Sequence, residues 1–409
     1  MKELKKISIF IFIAVFAGAC SDEFLELEPQ GLRFEENFYS NPTEVYEGLN
    51  AAYDLLGQKY TGEYTYHSTY MMKNIASDDA NAGGGNALDM LDWQDIDEFI
   101  PDPSNVALLG VWWRSYFGIY RANQIITRVD PSNSDLYVVP SDSSLLRRYV
   151  AEAHFLRAYF YYELVTFFGG VPLLDEVLDV SEDYPPRATE EATWAFIESD
   201  LRYASQFLPF KSELKGFEKQ HATRGAAQAL LGKIYVFQEK YDDAVQVFED
   251  VITSAEYQLD SSYAHIFTPD GEFGVESVFE ISHSSSSPAD WLANRSRGYE
   301  GNVDCQMMGV RELSGSSTHE PGWGFNKAEL SLVNAFIDAG DTLRRKVSIY
   351  NIDSLNAEQG GNLSWNSDYK YTGWYCNKYA PKEINIGDGI GATELDYNVN
   401  ERVIRYADV

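Results

Sequence analysis

Residues 222–252 read ATRGAAQALLGKIYVFQEKYDDAVQVFEDVI. The stretch reads as two short helices joined by a tight polar turn. Leu231-Gly232 is followed by Tyr235, then Ala244, then Phe248. Gly232 lets the two helices approach, Ala244 keeps the approach close, and Tyr235 and Phe248 fill the groove between them.

Those positions form the L-G-x2-Y…A-x3-F skeleton of a tetratricopeptide-type helix pair. The Trp and Pro ends of the pattern are absent, since Gln228 and Glu256 stand there. Upstream, AEAHFLRAYFYYELVTFF lies within a helix expected over 145–168, with Ala158 and Tyr161 at the same small-then-aromatic spacing. This segment is apolar almost all round and is therefore expected to be buried on most sides. Gly169-Gly170 ends it, and Val171-Pro172 forbids continuation. Further helices are expected from Pro42, capped by Asn41 with Glu44 completing a capping box, over 106–129, over 189–207 capped by Thr189, and over 328–339. In the 106–129 helix, Trp112 and Trp113 sit on an apolar stripe and are assigned to the core. SVFEIS, residues 277–282, alternates like a strand. Residues 58–105, 283–325 and 350–400 read as long loops rich in Gly, Asn and aromatic residues. The expected fold is mainly α, with irregular tetratricopeptide-like helix pairs, long loops and a few short strands. The closing VIRYADV begins an amphipathic pattern with nothing to end it, so the chain reads as cut short at its C-terminus.

The N-terminus has a different character. Lys2, Lys5 and Lys6 precede an apolar run from Ile7 to Phe16, and Ala17-Gly18-Ala19 precedes Cys20. A basic start, a short greasy middle and a small-residue cleavage site make a secretory signal peptide over residues 1–19. The run is too short to span a bilayer, which takes about 20 apolar residues. Ala17-Gly18-Ala19-Cys20 also looks like a bacterial lipobox, which makes Cys20 the expected lipidation site. More than one acyl chain on Cys20 would hold the protein on a membrane with no transmembrane helix. Cys305 and Cys376 are free to pair or not as far as sequence goes.

The formal net charge is −31, from 32 Lys and Arg against 63 Asp and Glu. Loss of residues 1–19 removes a net +2 and leaves about −33. Such a surface repels nucleic acid and other polyanions, while neutral ligands suffer no penalty. Catalytic and metal-binding motifs are missing: there is no HExxH, no G-x-S-x-G and no CxxC, and the six histidines are scattered. The glycines at 225 and 232 are spaced wrongly for a phosphate loop. Carboxylate pairs are too common in so acidic a chain to signal a glycosidase. No catalytic residue, metal site or cofactor is expected. Asp78-Asp79-x-Asn81 offers hard oxygens at short spacing but fails the EF-hand pattern, and a solvated loop is the simpler reading.

Several segments together resemble the SusD/RagB family: CSDEFLELEPQG, FLRAYFYYELVTFFGGVPLL, the 222–252 pair, GWGFNKAELSLVNAFIDAGDTLRRK and VIRYADV. The resemblance implies a SusD-like fold with ligand loops above the helix pairs. It divides the chain into the leader at 1–19, an N-terminal region at 20–220, and the helix pair with the C-terminal region at 221–409. It implies a non-enzymatic, lipid-anchored protein on the outer face of the outer membrane. Such a protein captures oligosaccharides and passes them to a SusC-like TonB-dependent transporter. A tetratricopeptide-like scaffold lipoprotein that binds only envelope proteins is the alternative, and a lipid-anchored glycoside hydrolase a third.

Sugars present C–H faces that pack on Trp and Tyr rings, while polar neighbours take the hydroxyls. The aromatic loops therefore supply the expected ligand-binding residues: Trp93, Trp291, Tyr299 and Trp323, with Asp78, Asp79 and Asn81 as hydrogen-bonding partners. Each tryptophan has a competing reading as a loop anchor or core residue, and Trp323, within Gly322-Trp323-Gly324, as a turn anchor. Replacing Trp93 or Trp291 by Ala is expected to abolish binding and leave the fold intact.

Overall fold

The computed structural model describes residues 38–61, 65–178, 184–285, 301–382 and 397–409. The architecture is mainly α. Helices α1 (Pro42–Gly57), α2 (Thr69–Ile75), α3 (Leu91–Asp97), α4 (Val106–Arg128), α5 (Asp142–Phe168) and α6 (Glu190–Phe207) come first. The pair α7 (Arg224–Phe237) and α8 (Tyr241–Thr253) follows, and four shorter helices lie beyond: α9 (Val303–Met308), α10 (Leu330–Asp338), α11 (Thr342–Ser348) and α12 (Ile352–Glu358).

The long helices pack in chain order, with α4 against α5, α5 against α6, α6 against α7, α7 against α8, and α1 against α4 and α5. One core runs from Tyr39 to Ile404 and draws buried residues from both sides of position 220. α5 is its axis, with Phe155, Leu156, Phe160, Tyr161 and Leu164 fully buried or nearly so. Its end is as the sequence indicates: Gly169 adopts φ +68°, a conformation that an L side chain resists. Gly118 of α4 faces α5 so closely that a Cβ there would lie 2.1 Å from the Phe160 ring. In the α7–α8 pair, a Cβ on Gly232 would lie 2.4 Å from the Phe248 ring, which is the close approach that the sequence anticipates.

Capping follows local sequence. Asn41 Oδ1 accepts from the Thr43 and Glu44 N–H groups, and Thr189 and Thr223 cap α6 and α7. The Glu44 carboxylate reaches back to the Ser40 N–H at 2.8 Å, one residue beyond the cap.

Buried charge ties the helices together. Arg157 of α5 holds Asp200 of α6 through two 2.7 Å bonds, and its third nitrogen donates to Asn123 Oδ1 of α4 at 2.8 Å. Burial pushes the Asp200 pKa up, but the Arg157 and His154 bonds outweigh it and hold the carboxyl below its ordinary value.

The strands are short, and two of their four pairs, β3–β5 and β4–β8, join distant parts of the chain. They are β1 (Tyr60–Thr61), β2 (Thr65–Tyr66), β3 (Ala80–Gly83), β4 (Ser277–Ile281), β5 (Phe325–Ala328), β6 (Ile349–Asn351), β7 (Trp374–Cys376) and β8 (Glu401–Arg405). They form antiparallel pairs β1–β2, β3–β5, β4–β8 and β6–β7. Strand β4 lies where the sequence alternates. Strand β8, which takes in the first three residues of VIRYADV, is the partner of β4. Residues 58–105 are not one long loop, since β1, β2, α2, β3 and α3 all lie within them. Cys305 and Cys376 are buried free thiols, and burial pushes the Cys305 thiol far above its usual range.

Candidate loop-face binding site

Four of the sequence-expected site residues, Asp78, Asp79, Asn81 and Trp323, lie along one two-stranded ribbon. Strands β3 and β5 pair in the register Ala80↔Ala328, Asn81↔Lys327 and Gly83↔Phe325. This pairing joins the SDDANAGGGN segment to GWGFNKAEL across 248 positions at Asn81 and Glu329. Asp78, Asp79 and Asn81 therefore share a structure with Trp323, but at opposite ends of the ribbon. The Asp79 carbonyl accepts from the Glu329 N–H at 2.9 Å, whereas Trp323 lies beyond the Gly83 end. Four or five residues at about 3.3 Å each separate the two groups by roughly 15 Å. Asp78 and Asp79 are exposed. Asn81 is buried, and its Nδ2 donates inward to Glu329 at 2.6 Å. Asn81 is thus a partner of the ribbon, with no side-chain face turned to solvent.

Trp93 requires a larger correction. It is 0% exposed, lies on α3, packs edge-on to Phe325 and donates its indole N–H to the Tyr66 carbonyl at 3.0 Å. It is a pillar beneath the ribbon and offers no ring face to a ligand. Trp291, Tyr299 and Cys20 lie outside the described residues.

At the Gly83 end, backbone and side chains converge tightly. A Cβ on Gly83 would meet the Gly324 carbonyl oxygen at 2.3 Å, and Gly83 holds φ +72°. The Gly84 N–H donates to the Gly324 carbonyl at 2.7 Å, and the Tyr369 N–H donates to the Gly84 carbonyl at 2.9 Å. Glycine is required here because three strands of backbone meet. Around them, the Arg311 guanidinium donates to the Trp323 carbonyl at 3.0 Å and lies 3.5 Å from the Asp89 carboxylate. Asp89 also accepts from the Gly85 N–H at 2.7 Å. The half-buried Trp323 ring meets Tyr66 at 5.8 Å, and its indole face is fixed by that contact.

The 364–371 segment closes the face from the other side. Asn366 N–H donates to the Arg311 carbonyl at 3.1 Å, and the Trp365 indole N–H donates to the Tyr371 hydroxyl at 3.3 Å. Beneath it, Lys327 and Asp368 form a fully buried ion pair at 2.7 Å, with the Tyr375 hydroxyl donating to the other Asp368 oxygen at 3.0 Å. Burial lowers the Lys327 pKa from its ordinary value despite the partner. This face carries the exposed Tyr371 and the half-buried Trp365 on a segment that Asn366 ties to Arg311, while the Trp323 ring packs on the Tyr66 side of Arg311, with Asp89 beside Arg311 and Glu312 bonded to Asn366. It can hold a flat-faced neutral ligand by stacking and by charge-assisted hydrogen bonds. Trp365 and Tyr371 were visible in the sequence as an aromatic loop, but nothing local tied them to Trp323.

A family model described as starch-binding and associating with the outer membrane matches residues 23–236. The chain belongs to the SusD-like family. A SusD-like protein of Formosa agariphila, P2, is 26% identical over 413 residues, covering 99% of this chain and 75% of that one. A solved laminarin-binding SusD-like protein is 33% identical with TM-score 0.80, covering 90% of this chain and 79% of that one. Surface glycan-binding protein A of Bacteroides thetaiotaomicron, solved with laminarihexaose, is 25% identical with TM-score 0.78, covering 90% and 76%. SusD-like proteins are thus the chain's relatives in both sequence and fold, and its mainly α architecture is theirs.

Of the two α4 tryptophans expected in the core, only Trp113 departs from it. Trp112 is half-buried against the core, but Trp113, expected inside, is 55% exposed. α4 is apolar on two faces, and only one of them packs against α5 and α1.

Proposed function

We propose that this SusD-like chain is a non-enzymatic surface lipoprotein that captures neutral oligosaccharides and delivers them to a SusC-like TonB-dependent transporter of the outer membrane. The observation that carries the reading is the 33% identity, over 90% of the chain, to a laminarin-binding SusD-like protein. The glycan class we propose is that of laminarin, and starch is the alternative drawn from the family description. The loop face supports the reading chemically. Rings at Trp323, Trp365 and Tyr371 sit beside polar groups, and the net charge of −31 disfavours anionic ligands. Trp291 and Tyr299 are proposed to complete this face, with Asp78 and Asp79 at the far end of the ribbon. Cys20 is proposed to carry the anchor.

Calorimetric titration of the full-length chain in detergent with laminarihexaose and a starch hexaose tests the reading. Binding of one glycan, with no hydrolysis product and a loss of about tenfold or more in Trp323→Ala, supports it. Silence toward both from folded protein would refute it and favour an envelope-protein scaffold.

A further inference from the structure

The outward face of α4 carries Leu109, Trp113, Phe117 and Tyr120, successive positions of one helical stripe, and all four are exposed. Trp113, Phe117 and Tyr120 of this stripe, together with Trp112, Tyr116 and the strap that follows α5, wall a cleft of about 680 Å³. Clefts of this size hold small-molecule ligands. Of the α4 side chains that line it, all except Asn123 are aromatic, and Tyr184 faces them from the strap at 82% exposure.

We propose that this cleft is a second carbohydrate-binding subsite, separate from the loop face, that stacks a neutral oligosaccharide of the same class. The proposal rests on the glycan-binding reading above.

Two tilted ring pairs form the wall. Trp112 and Tyr116 have centroids 4.8 Å apart at 47°, and Trp113 and Phe117 5.1 Å apart at 54°. Each pair presents an angled surface, which suits the C–H faces of successive sugar rings better than a flat partner helix. The indole N–H groups of Trp112 and Trp113 and the hydroxyl of Tyr184 have no hydrogen-bond partner among the described residues. They are free donors at the edges of the stacking rings, and Glu176 adds an acceptor at the rim. A sugar chain needs this combination of ring faces with unspent donors and acceptors at their edges. An aliphatic protein-docking face would not supply it.

The wall is also preorganised. The Tyr116 hydroxyl donates to the Pro172 carbonyl at 2.8 Å, and Trp112 packs edge-on to Phe168 at 5.3 Å. Asn123 Nδ2 donates to the Leu174 and Glu176 carbonyls at 3.0 and 3.1 Å, and Arg157 fixes Asn123 from beneath. Rings held in place before binding lose little rotamer entropy when a ligand arrives.

Calorimetric titration of the full-length chain with laminarihexaose provides the test, using Trp113→Ala/Phe117→Ala, Trp323→Ala and wild type. Both cleft residues are exposed, so the double variant keeps its fold, and circular dichroism checks this. The expected result is two hexaoses bound by wild type and one by the double variant, with at least a tenfold loss of affinity for polymeric laminarin as the paired sites lose their avidity. A single hexaose that is lost in the double variant and kept in Trp323→Ala also supports the cleft, and takes the loop face out of the function proposed above. A single hexaose that is lost in Trp323→Ala and untouched by the double variant overturns the subsite and leaves the function standing. If folded wild type binds neither laminarihexaose nor the starch hexaose, both the subsite and the function fall.

Discussion

Replacing Trp93 by alanine separates the tertiary structure from the sequence reading most directly. The indole is fully buried, packs against Phe325 and donates to the Tyr66 carbonyl at 3.0 Å. A buried Trp side chain hides about 200 Å², which at about 25 cal/mol per Å² corresponds to roughly 5 kcal/mol for the whole side chain. Alanine keeps a small part of that, and measured Trp→Ala losses in cores run at about 3–5 kcal/mol. The Tyr66 carbonyl also loses a donor, which costs about 1 kcal/mol. The expected loss is therefore about 4–6 kcal/mol. Trp93→Phe, which keeps most of the area but not the N–H, should lose about 1–2 kcal/mol. Urea denaturation followed by far-ultraviolet circular dichroism reads both without depending on tryptophan fluorescence. The half-buried Trp323, changed to alanine, serves as the comparison and should lose less than half as much as Trp93→Ala. A Trp93→Ala loss below about 1 kcal/mol, or greater harm from Trp323→Ala, would refute the placement of Trp93 as the pillar of the ribbon.

Other perturbations follow from the same packing. Gly118→Ala drives a methyl into the fully buried Phe160 ring and should lose about 1–3 kcal/mol, whereas Gly232→Ala meets the half-buried Phe248, which can swing outward, so its thermal midpoint should fall less. Lys327→Met leaves Asp368 charged and unpaired in the interior, and a loss of about 3–5 kcal/mol is expected; restoring most of it with Asp368→Asn in the same chain would identify the stranded charge as the cause. Burial of Glu272 outweighs the Asn400 and Arg402 contacts and raises its pKa to about 7. The folded state then holds a proton that the unfolded state releases between about pH 4.5 and 7, so this group's contribution to stability falls as pH rises through that window. Glu272→Gln should flatten that part of the stability–pH curve and raise the midpoint at pH 8, and an unchanged slope would contradict the assignment.

Most of the helical framework was legible because its determinants are local. Asn41, Thr189, Gly169 and the 222–252 pair each act within a turn or two of chain, through caps, a left-handed stop and a small residue three or four positions before an aromatic one. The short strands were legible only at β4. A two- to five-residue strand carries little pattern of its own, and its stability comes from a partner that may be chosen anywhere in the chain. The pairing of Asn81 with Lys327 and of Ser277 with Arg405 is written in neither segment alone.

The fate of the tryptophans shows the same division. By itself the sequence determined that the chain is a mainly α, acidic, aromatic-rich member of a recognisable family, because helical periodicity, net charge and motif order are properties of neighbouring residues and of sums. Only the tertiary structure decided that Trp93 lies in the core and Trp113 in solvent. Both stand on helices with apolar neighbours, and both fit an amphipathic pattern. Burial depends on which face another element covers: β5 closes over α3, while α5 and α1 cover one side of α4 and, among the described residues, Trp113 on the other side stays exposed.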